Sequence, residues 1–547
     1  MLGTVSAAIL ATLLVAVLSA VVLRYVFGTG FSGSEDLGIW LHVALIAVGA
    51  PLALSSTLAM RLDVFATRLT QGGQAVAAVA ADILTVLAGL VLAFGSARIA
   101  TMLGGVSPTL GLPEWVRFGF LGIGGALIVL VLTLQRLAEG KTAGLLIALI
   151  AGVALHIAAT RLSIPVSLPP SIVLGLIAAI GLLVAAPLPH AFIAAAYLAI
   201  AFRSPLPEQA VVSYTVTGMS KFLLLAIPFF LLAGGLLTVS GTASQIVRFA
   251  TSLVGHRRAG LAQTTLLTSV LFSGASGSSV ANAAYGSATF QPELVKKGYA
   301  PAQAGGVMVL CFAVAIHLTA AEHATQPRAD ATERWSSAKA AIPAFGLGVI
   351  VVVGIRIGVV TVTEAAALAA LYTLFLGLGA RQHALPIYAA LRQSAVEASA
   401  IGLLIGTAGP FAYLLAVDNV SGLLSSIVTG FGLGPLGVFI IINVLLLAIG
   451  LVLDIGAAIL LFAPIFLPLA VEAGVDPIHF GVILVVNLMI GGLTPPVGML
   501  VFVVSGVTKV PAGALFRAIL PYLAALLVSL ALLTAGAILF QATEPYP

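Results

Sequence analysis

Asp454-Ile455-Gly456-Ala457-Ala458 interrupts an apolar run that begins at Val438, and Gly491-Gly492-Leu493-Thr494-Pro495-Pro496-Val497-Gly498 interrupts a later one. Pro464 and Pro468 lie in the apolar segment between them. Lipid offers no hydrogen-bond partner to backbone groups freed by such breaks, so non-helical backbone at membrane depth is buried in protein or lines a cavity. The carbonyls and half-helix ends of a broken helix can hold a small ion or an anionic group. This stretch therefore predicts a binding site inside a membrane protein.

A second stretch has the same design. Leu261–Leu271 is apolar, Phe272-Ser273-Gly274-Ala275-Ser276-Gly277-Ser278-Ser279 forms a polar tip, and Val280–Phe290 is apolar again. We predict two re-entrant hairpins, near residues 259–292 and 436–471. Two interrupted apolar hairpins in one membrane chain indicate a secondary transporter.

The composition excludes an ordinary soluble protein. Of the 547 residues, 61% are hydrophobic and 7% charged, whereas soluble domains have about 25% charged residues. Several apolar runs exceed the ~20 residues that span a bilayer, so we predict an all-α polytopic protein embedded in lipid. The net charge is +5, but the basic residues form no patch interleaved with aromatics, so no nucleic-acid partner is predicted.

The residues also argue against an enzyme. Cys311 is the single cysteine, which rules out a disulfide framework or a thiolate metal site. No nucleophile–base pair stands out, and no Gly-Lys-Ser/Thr loop is present to cradle phosphates, so ATP is not the energy source within this chain. We predict no cofactor.

Lys and Arg in the loops predict the topology. Apolar runs predict spans at 5–27, 37–59, 74–99, 115–134, 142–160, 171–186, 188–202, 222–240, 341–358, 362–380, 480–504 and 518–540, with a polar stretch at 203–220. Basic residues in the 61–72 and 135–141 loops place both loops and the N-terminus in the cytoplasm, because cytoplasmic loops carry excess Lys and Arg. The last span then places the C-terminus in the periplasm.

The two hairpins differ in the charge of their flanks. The first is flanked by basic residues, which predicts that both its ends are cytoplasmic: Arg248, Arg257, Arg258, Lys296 and Lys297. The second is flanked by acidic residues, which predicts that both its ends are periplasmic: Asp418, Glu472 and Asp476. Hairpins of opposite orientation are typical of an inverted-repeat transporter, whose site lies between them near the midplane.

One segment does not fit this topology. Residues 304–321 begin and end on the side predicted to be cytoplasmic, yet about 18 residues make one crossing at ~1.5 Å per residue. The region between the hairpins is therefore one span short.

Each polar element also has a structural interpretation. The small residues of Ser273–Ser279 could serve close helix packing, and Asp454 could cap the returning helix. An ionisable group in an apolar run is nonetheless functional by default, and the two roles of Asp454 are compatible. Thr494-Pro495-Pro496 could be a simple kink, but adjacent prolines free upstream carbonyls, which favours a coordinating break. Thr361–Glu364 is interpreted as a mainly structural helix cap.

The sequence resembles the membrane component of tripartite ATP-independent periplasmic (TRAP) transporters in which the small and large subunits are fused. The large-subunit resemblance covers roughly 171–541 and rests on these segments: Leu225–Phe230, Ser273–Ala281, Thr363–Ala367, Ala463–Pro468, Asp476–Ile483 and Asn487–Gly498. The small-subunit resemblance covers 1–136 and rests on shorter matches: Arg24–Gly28, Ser34–Asp36, Arg61–Val64 and Gly111–Pro113. Together, the two resemblances imply a four-helix scaffold at 1–136, a connecting helix and linker at 137–170, and a transport domain at 171–547.

The resemblance implies an elevator-type symporter of the bacterial inner membrane. Such a protein is driven by a sodium gradient and receives a small carboxylate from a periplasmic binding protein. The implied substrate- and ion-binding residues are Ser273, Gly274, Ser276, Gly277, Ser278, Ser279, Asn282, Thr363, Asp454, Gly492, Thr494, Pro495, Pro496 and Gly498. Sodium, the coupling ion, is expected at Ser276, Gly277, Asp454 and Thr494.

The sequence departs from the family pattern in three places. Val362 and Ile455 replace usual prolines, and the segment after Val309 has neither the family's Ile-Pro-Pro-Ser-like break nor the span that follows it. The span missing from the topology is this same gap. An alternative function follows from it: a non-transporting or degenerate membrane scaffold that lacks a complete ion site.

The predicted orientation can be tested with single cysteines, after replacement of Cys311. Arg257→Cys should react with an impermeant reagent only from the cytoplasmic face and Gly474→Cys only from the periplasmic face, because of the opposite charges of the flanks. Labelling of both cysteines from the same face would contradict the inverted repeat.

Overall fold

The computed structural model describes residues 1–30, 33–54, 61, 66, 68–161, 168–202, 206–256, 264, 329–379, 384–420, 422–423, 426, 430, 434–452, 455–495, 501, 504 and 510–541. These residues form helices, with one isolated antiparallel bridge between Val106 and Pro113. The tip Ser273–Asn282, the segment 304–321, Asp454, Pro496 and Gly498 lie outside the described residues.

Ten helices of the described part are long and apolar enough to cross a membrane. They are Leu2–Tyr25, Ser34–Ala53, Gln71–Met102, Trp115–Ala138, Thr142–Arg161, Phe222–Val239, Ala331–Arg356, Val362–Gly379, Leu385–Val417 and Gly513–Leu539. The prediction of an all-α polytopic membrane protein is confirmed.

The chain divides into two compact units, Met1–Phe229 with Leu391–Ile427, and Phe230–Ala390 with Val428–Pro547. The first unit contains α1 (Leu2–Tyr25), α2 (Ser34–Ala53), α3 (Gln71–Met102), α4 (Trp115–Ala138), α5 (Thr142–Arg161), α6 (Pro170–Leu183), α7 (Leu188–Leu198) and α8 (Glu208–Met219). Helix α9 (Ala226–Val239) follows and continues into the second unit. Helix α3 lies at the centre of the first unit, where it packs against α4, α5, α7 and α8.

The second unit contains α10 (Thr242–Val254), α11 (Ala331–Gly348) and α12 (Val362–Gly379). Helix α11 continues through a π-helical turn, Val349–Val353, to Arg356. Helix α13 (Ala384–Val417) begins in this unit and runs mostly in the first. The remaining helices of the second unit are α14 (Pro435–Val452), α15 (Ile455–Glu472), α16 (Pro477–Gly491) and α17 (Ala512–Gln541).

Helix α8 lies within residues 203–220, which were predicted only as a polar stretch. Its Val211, Val212, Thr215 and Val216 are fully buried. The helix is only 12 residues long and half polar, so neither its length nor its periodicity signalled it. Packing against α3 and its own unit supplies the apolar surroundings that the local sequence does not reveal.

A buried ion pair joins α3 to α4. The Arg136 guanidinium donates through Nε and Nη2 to the two oxygens of Asp82, at 2.7 and 2.8 Å. Both residues are less than 10% exposed, so this bidentate pairing satisfies charges that would otherwise be costly in an apolar core. At the end of α4, the Lys141 ammonium and Arg136 lower the pKa of Glu139 to about 2, which keeps that carboxylate ionised.

A second polar cluster joins four elements of the first unit. Glu208 at the start of α8 is 4% exposed and pairs through Oε2 with Arg98 of α3. Its Oε1 lies 3.7 Å from Nε2 of His156 on α5. The Tyr197 hydroxyl of α7 donates to the His156 carbonyl at 2.9 Å, and the two rings stack at 5.1 Å. The cluster links α5, which was predicted only as a connecting helix, to α3 before it in the chain and to α7 and α8 after it.

The structure refines the labelling test. Gly474 has a φ of +86°, a conformation that strains an L side chain. Ile478, which lies four residues later and is 75% exposed, is the better position for the second cysteine.

Candidate functional site

Helices α14 and α16 cross at two glycines. A Cβ added to Gly491 would lie 2.7 Å from the Cα of Gly450, and a Cβ added to Gly450 would lie 2.9 Å from the Leu488 carbonyl oxygen. Because these neighbours are backbone atoms, no side chain could move aside to make room. Close backbone approach through small residues is how membrane helices commonly pack.

The predicted break at Gly491–Gly498 is confirmed on the side that the structure describes. Helix α16 ends at Gly491, and the next two amides, of Gly492 and Leu493, turn back to the carbonyls of Leu488 and Ile490. The Thr494 hydroxyl donates to the Ile490 carbonyl at 2.7 Å, and Pro495 follows. A hydroxyl that donates in this way keeps its oxygen lone pairs, so Thr494 can still ligate a cation.

Helices α14, α16 and α17 share a directed hydrogen-bond chain. The side-chain amide of Asn487 donates to the side-chain oxygen of Asn443 at 2.6 Å and to the backbone carbonyl of Asn443 at 3.0 Å. The Asn443 amide donates to the Thr534 hydroxyl at 3.1 Å, which in turn donates to the Leu530 carbonyl at 2.9 Å. The chain fixes the rotation of α14 against α16, one to two turns before their glycine crossing.

The hydrogen-bond chain from Asn487 through Asn443 to Thr534 was not predicted from the sequence. Asn443 lies in an apolar run, and Asn487 lies in a segment that matches a family motif, so neither indicated a pairing on its own. A lone amide in an apolar run was the available signal, since a buried polar group needs a partner. Nothing in one sequence indicates that the two amides pair with each other.

The crossing lies close to two of the predicted site elements. Asp454 follows Gly450 by four residues, which limits their Cα separation to about 14 Å for an extended chain. Thr494 follows Gly491 by three residues, which limits that separation to about 11 Å. Asp454 itself lies outside the described residues, as do the Ser273–Asn282 tip, Pro496 and Gly498. Of the predicted residues, the structure describes Thr363, Gly492, Thr494 and Pro495.

Thr363 lies at the start of α12, beside the predicted helix cap. The Thr361 amide donates to Oε2 of Glu364 at 2.8 Å, and the Glu364 amide donates to Oγ1 of Thr361 at 3.3 Å. This reciprocal pairing is a capping box, so the structural interpretation of Thr361–Glu364 is confirmed. Thr363 is 1% exposed, and its predicted role in binding stays a prediction.

Family comparisons cover almost the whole chain. Residues 171–309 and 304–537 match the DctM component of the tripartite ATP-independent periplasmic transporters, and residues 13–142 match their DctQ component. The chain belongs to the TRAP transporter family. It carries the regions of both TRAP membrane components in a single multi-pass polypeptide.

Named relatives agree with this assignment. The C4-dicarboxylate TRAP transporter large permease protein of Pseudomonas aeruginosa is 35% identical over 365 residues, covering 57% of this chain and 84% of the relative. The sialic acid TRAP transporter large permease protein of Vibrio cholerae is 32% identical, covering 58% and 84%. The isethionate TRAP transporter permease protein of Oleidesulfovibrio alaskensis is 26% identical over 551 residues, covering 92% and 87%.

These alignments contain positions that this TRAP chain lacks. In the Pseudomonas alignment, 57% of 547 residues is about 312, which leaves about 53 of the 365 positions without a residue here. In the Oleidesulfovibrio alignment, 92% of 547 is about 503, which leaves about 48 of 551. The DctM match is also split at 304–309, where the sequence analysis found the missing span.

The glycine crossing generates a prediction with a matched control. Gly491→Ala should force α14 and α16 apart, because its methyl group meets backbone, and should lower the unfolding free energy by about 1–3 kcal/mol. Gly481→Ala on the same helix meets nothing within 4 Å and should be neutral or slightly stabilising. Thermal unfolding of the purified variants in detergent measures both; equal melting temperatures would contradict the tight crossing.

Proposed function

We propose that this chain is a secondary active symporter that takes up a small organic acid delivered by a periplasmic binding protein. It works in the bacterial inner membrane with an elevator-type mechanism, with its N-terminus in the cytoplasm and its C-terminus in the periplasm. The observation that carries the proposal is the presence of both TRAP membrane components in one chain. The proposed site lies between the two hairpins and includes Asp454 and Thr494.

The substrate class is drawn from the relatives. Their names specify a C4-dicarboxylate, sialic acid and isethionate, so the shared chemistry is a small organic anion, and a carboxylate is the first choice. The binding protein selects the substrate, and half-helix N-terminal ends at the hairpins supply donors for its anionic group.

We further infer that sodium drives the uptake. Sodium is a hard cation that takes oxygen ligands, and the break after Gly491 offers the Thr494 hydroxyl beside carbonyls at the end of a helix. The C-terminal end of a helix carries partial negative charge, which favours a cation. Asp454 adds a carboxylate within reach of the same crossing, and Ser276 and Gly277 are the proposed contribution of the first hairpin.

A second candidate function is a degenerate scaffold that docks a binding protein without transporting. The absence of an Ile-Pro-Pro-Ser-like break after Val309 favours it, because the counterpart of the Thr494-Pro495-Pro496 break is then missing. The retained break at Thr494 and the retained Ser273–Ser279 tip favour transport, which we therefore place first.

The proposal is tested by uptake into proteoliposomes to which periplasmic binding proteins for the probes are added. A C4-dicarboxylate, sialic acid and isethionate serve as probes. We expect an inward sodium gradient to drive uptake of one probe, and only with the binding protein present. Binding-protein docking without uptake of any probe would instead support the degenerate scaffold.

Asp454→Asn should reduce sodium-dependent uptake while the protein still folds and inserts, because the carboxylate is the one formal charge expected near the bound cation. Asp476→Asn is the matched control: Asp476 caps α16 through the amides of Ile478 and His479, and asparagine caps equally well. Unchanged uptake and sodium dependence in Asp454→Asn would leave this residue only a capping role.

The missing segment predicts a lower sodium stoichiometry. A site that has lost the carbonyls of one broken helix holds its ion more weakly, so fewer sodium ions should be coupled to each cycle than in a relative with the full-length segment. Flux measured at varied membrane potential, with such a relative alongside, gives both numbers. Equal stoichiometry would show that residues 304–321 replace the missing break.

A further inference from the structure

Helices α10 and α11 line an open groove in the second unit. Its volume is about 670 Å³. Apolar and charged side chains share its walls, among them Phe249, Leu253, Asp330, Arg334, Trp335 and Ala338. The groove therefore combines an apolar floor with a cation.

The two helices form a fixed pair. A buried hydrogen bond of 2.9 Å joins the hydroxyls of Ser337 and Ser252. The rings of Phe249 and Phe345 meet edge to face with centroids 5.8 Å apart. These contacts hold α10 and α11 together, so the groove that the two helices line has a fixed shape.

Arg334 is the unusual group in this groove. Its Nε and Nη2 atoms are buried, yet neither has a hydrogen-bond partner among the described residues. Burying unpaired donors of a cation is costly, and an anion in the groove would offset that cost. Asp330 does not pair with Nε or Nη2 of Arg334; its Oδ1 instead caps α11 by accepting from the Glu333 amide at 2.6 Å.

The groove lies where α11 begins to cross the membrane. The span Ala331–Arg356 begins beside it. Trp335 is 64% exposed, and the Lys339 ammonium lies 5.3 Å from the centroid of its ring. Tryptophan is enriched at the membrane–water interface, and lysine and arginine side chains extend their charges toward it. Phosphate groups of lipids occupy this same depth.

We propose that the groove binds the headgroup phosphate of an anionic phospholipid. Arg334 pairs with the phosphate, Lys339 adds a second positive charge, and the first part of an acyl chain packs on Phe249, Leu253 and Trp335. Basic pockets at the ends of membrane helices bind anionic headgroups in this way. The bound lipid fills the groove and anchors the α10–α11 pair at the bilayer surface.

The chain provides its own probe. It has three tryptophans, so Trp40→Phe with Trp115→Phe leaves Trp335 as the sole reporter. The full-length variant is placed in phosphatidylcholine nanodiscs that contain equal small fractions of brominated phosphatidylglycerol or brominated phosphatidylcholine. We expect about a fivefold preference of the quenching site for phosphatidylglycerol, the ratio that one basic side chain near an anionic surface supports.

Two variants and one competitor decide the outcome. Arg334→Gln should remove the preference, whereas Arg117→Gln, which breaks the pair with Glu114 in the first unit, should keep it. Equal quenching by both lipids with Arg334 intact, or a preference that survives Arg334→Gln, would overturn the proposal. So would loss of the preference on adding millimolar inorganic phosphate, since the groove would then take phosphate from solution. Weak quenching by either lipid would mean that the chain itself fills the groove.

Discussion

A backbone amide inside a lipid bilayer has to find its hydrogen-bond partner within the protein. This constraint explains why the described membrane spans of this TRAP chain are helices, and it gives each break a special meaning. The break after Gly491 is tolerated because its amides turn back onto Leu488 and Ile490 and because the Thr494 hydroxyl satisfies a carbonyl. Where a helix stops at membrane depth, the chain has polar atoms to offer a ligand.

The same constraint explains the polar side chains inside the two units. In two places that the structure describes, polar groups of apolar helices pair with groups on other helices: the bidentate Arg136–Asp82 pair and the Asn487–Asn443–Thr534 chain. Such pairs add geometric specificity to helices that would otherwise slide on apolar surfaces. In the second unit the amide chain and the Gly450–Gly491 crossing act together, so α14 and α16 reach the proposed site in one register.

Two independent observations bear on the membrane span missing after the first hairpin. Charge flanks and span lengths alone left the chain one crossing short after the first hairpin. The DctM match is split at 304–309, and the Pseudomonas and Oleidesulfovibrio alignments each contain about 50 positions without a residue here. A crossing needs about 20 residues, so the unmatched positions are numerous enough to include one. A transporter with this loss would keep one full broken helix and a reduced partner.

The sequence by itself determined the class, most spans, the break at Gly491–Gly498 and the cap at Thr361–Glu364, because these depend on composition and on neighbours in the chain. The tertiary structure alone decided which distant polar groups meet. Asn443 and Asn487 are 44 residues apart, and Glu208 meets Arg98 across 110; no local pattern encodes such pairings. Helix α8 was missed for the same reason, since its helical state depends on a buried setting that only its packing partners provide.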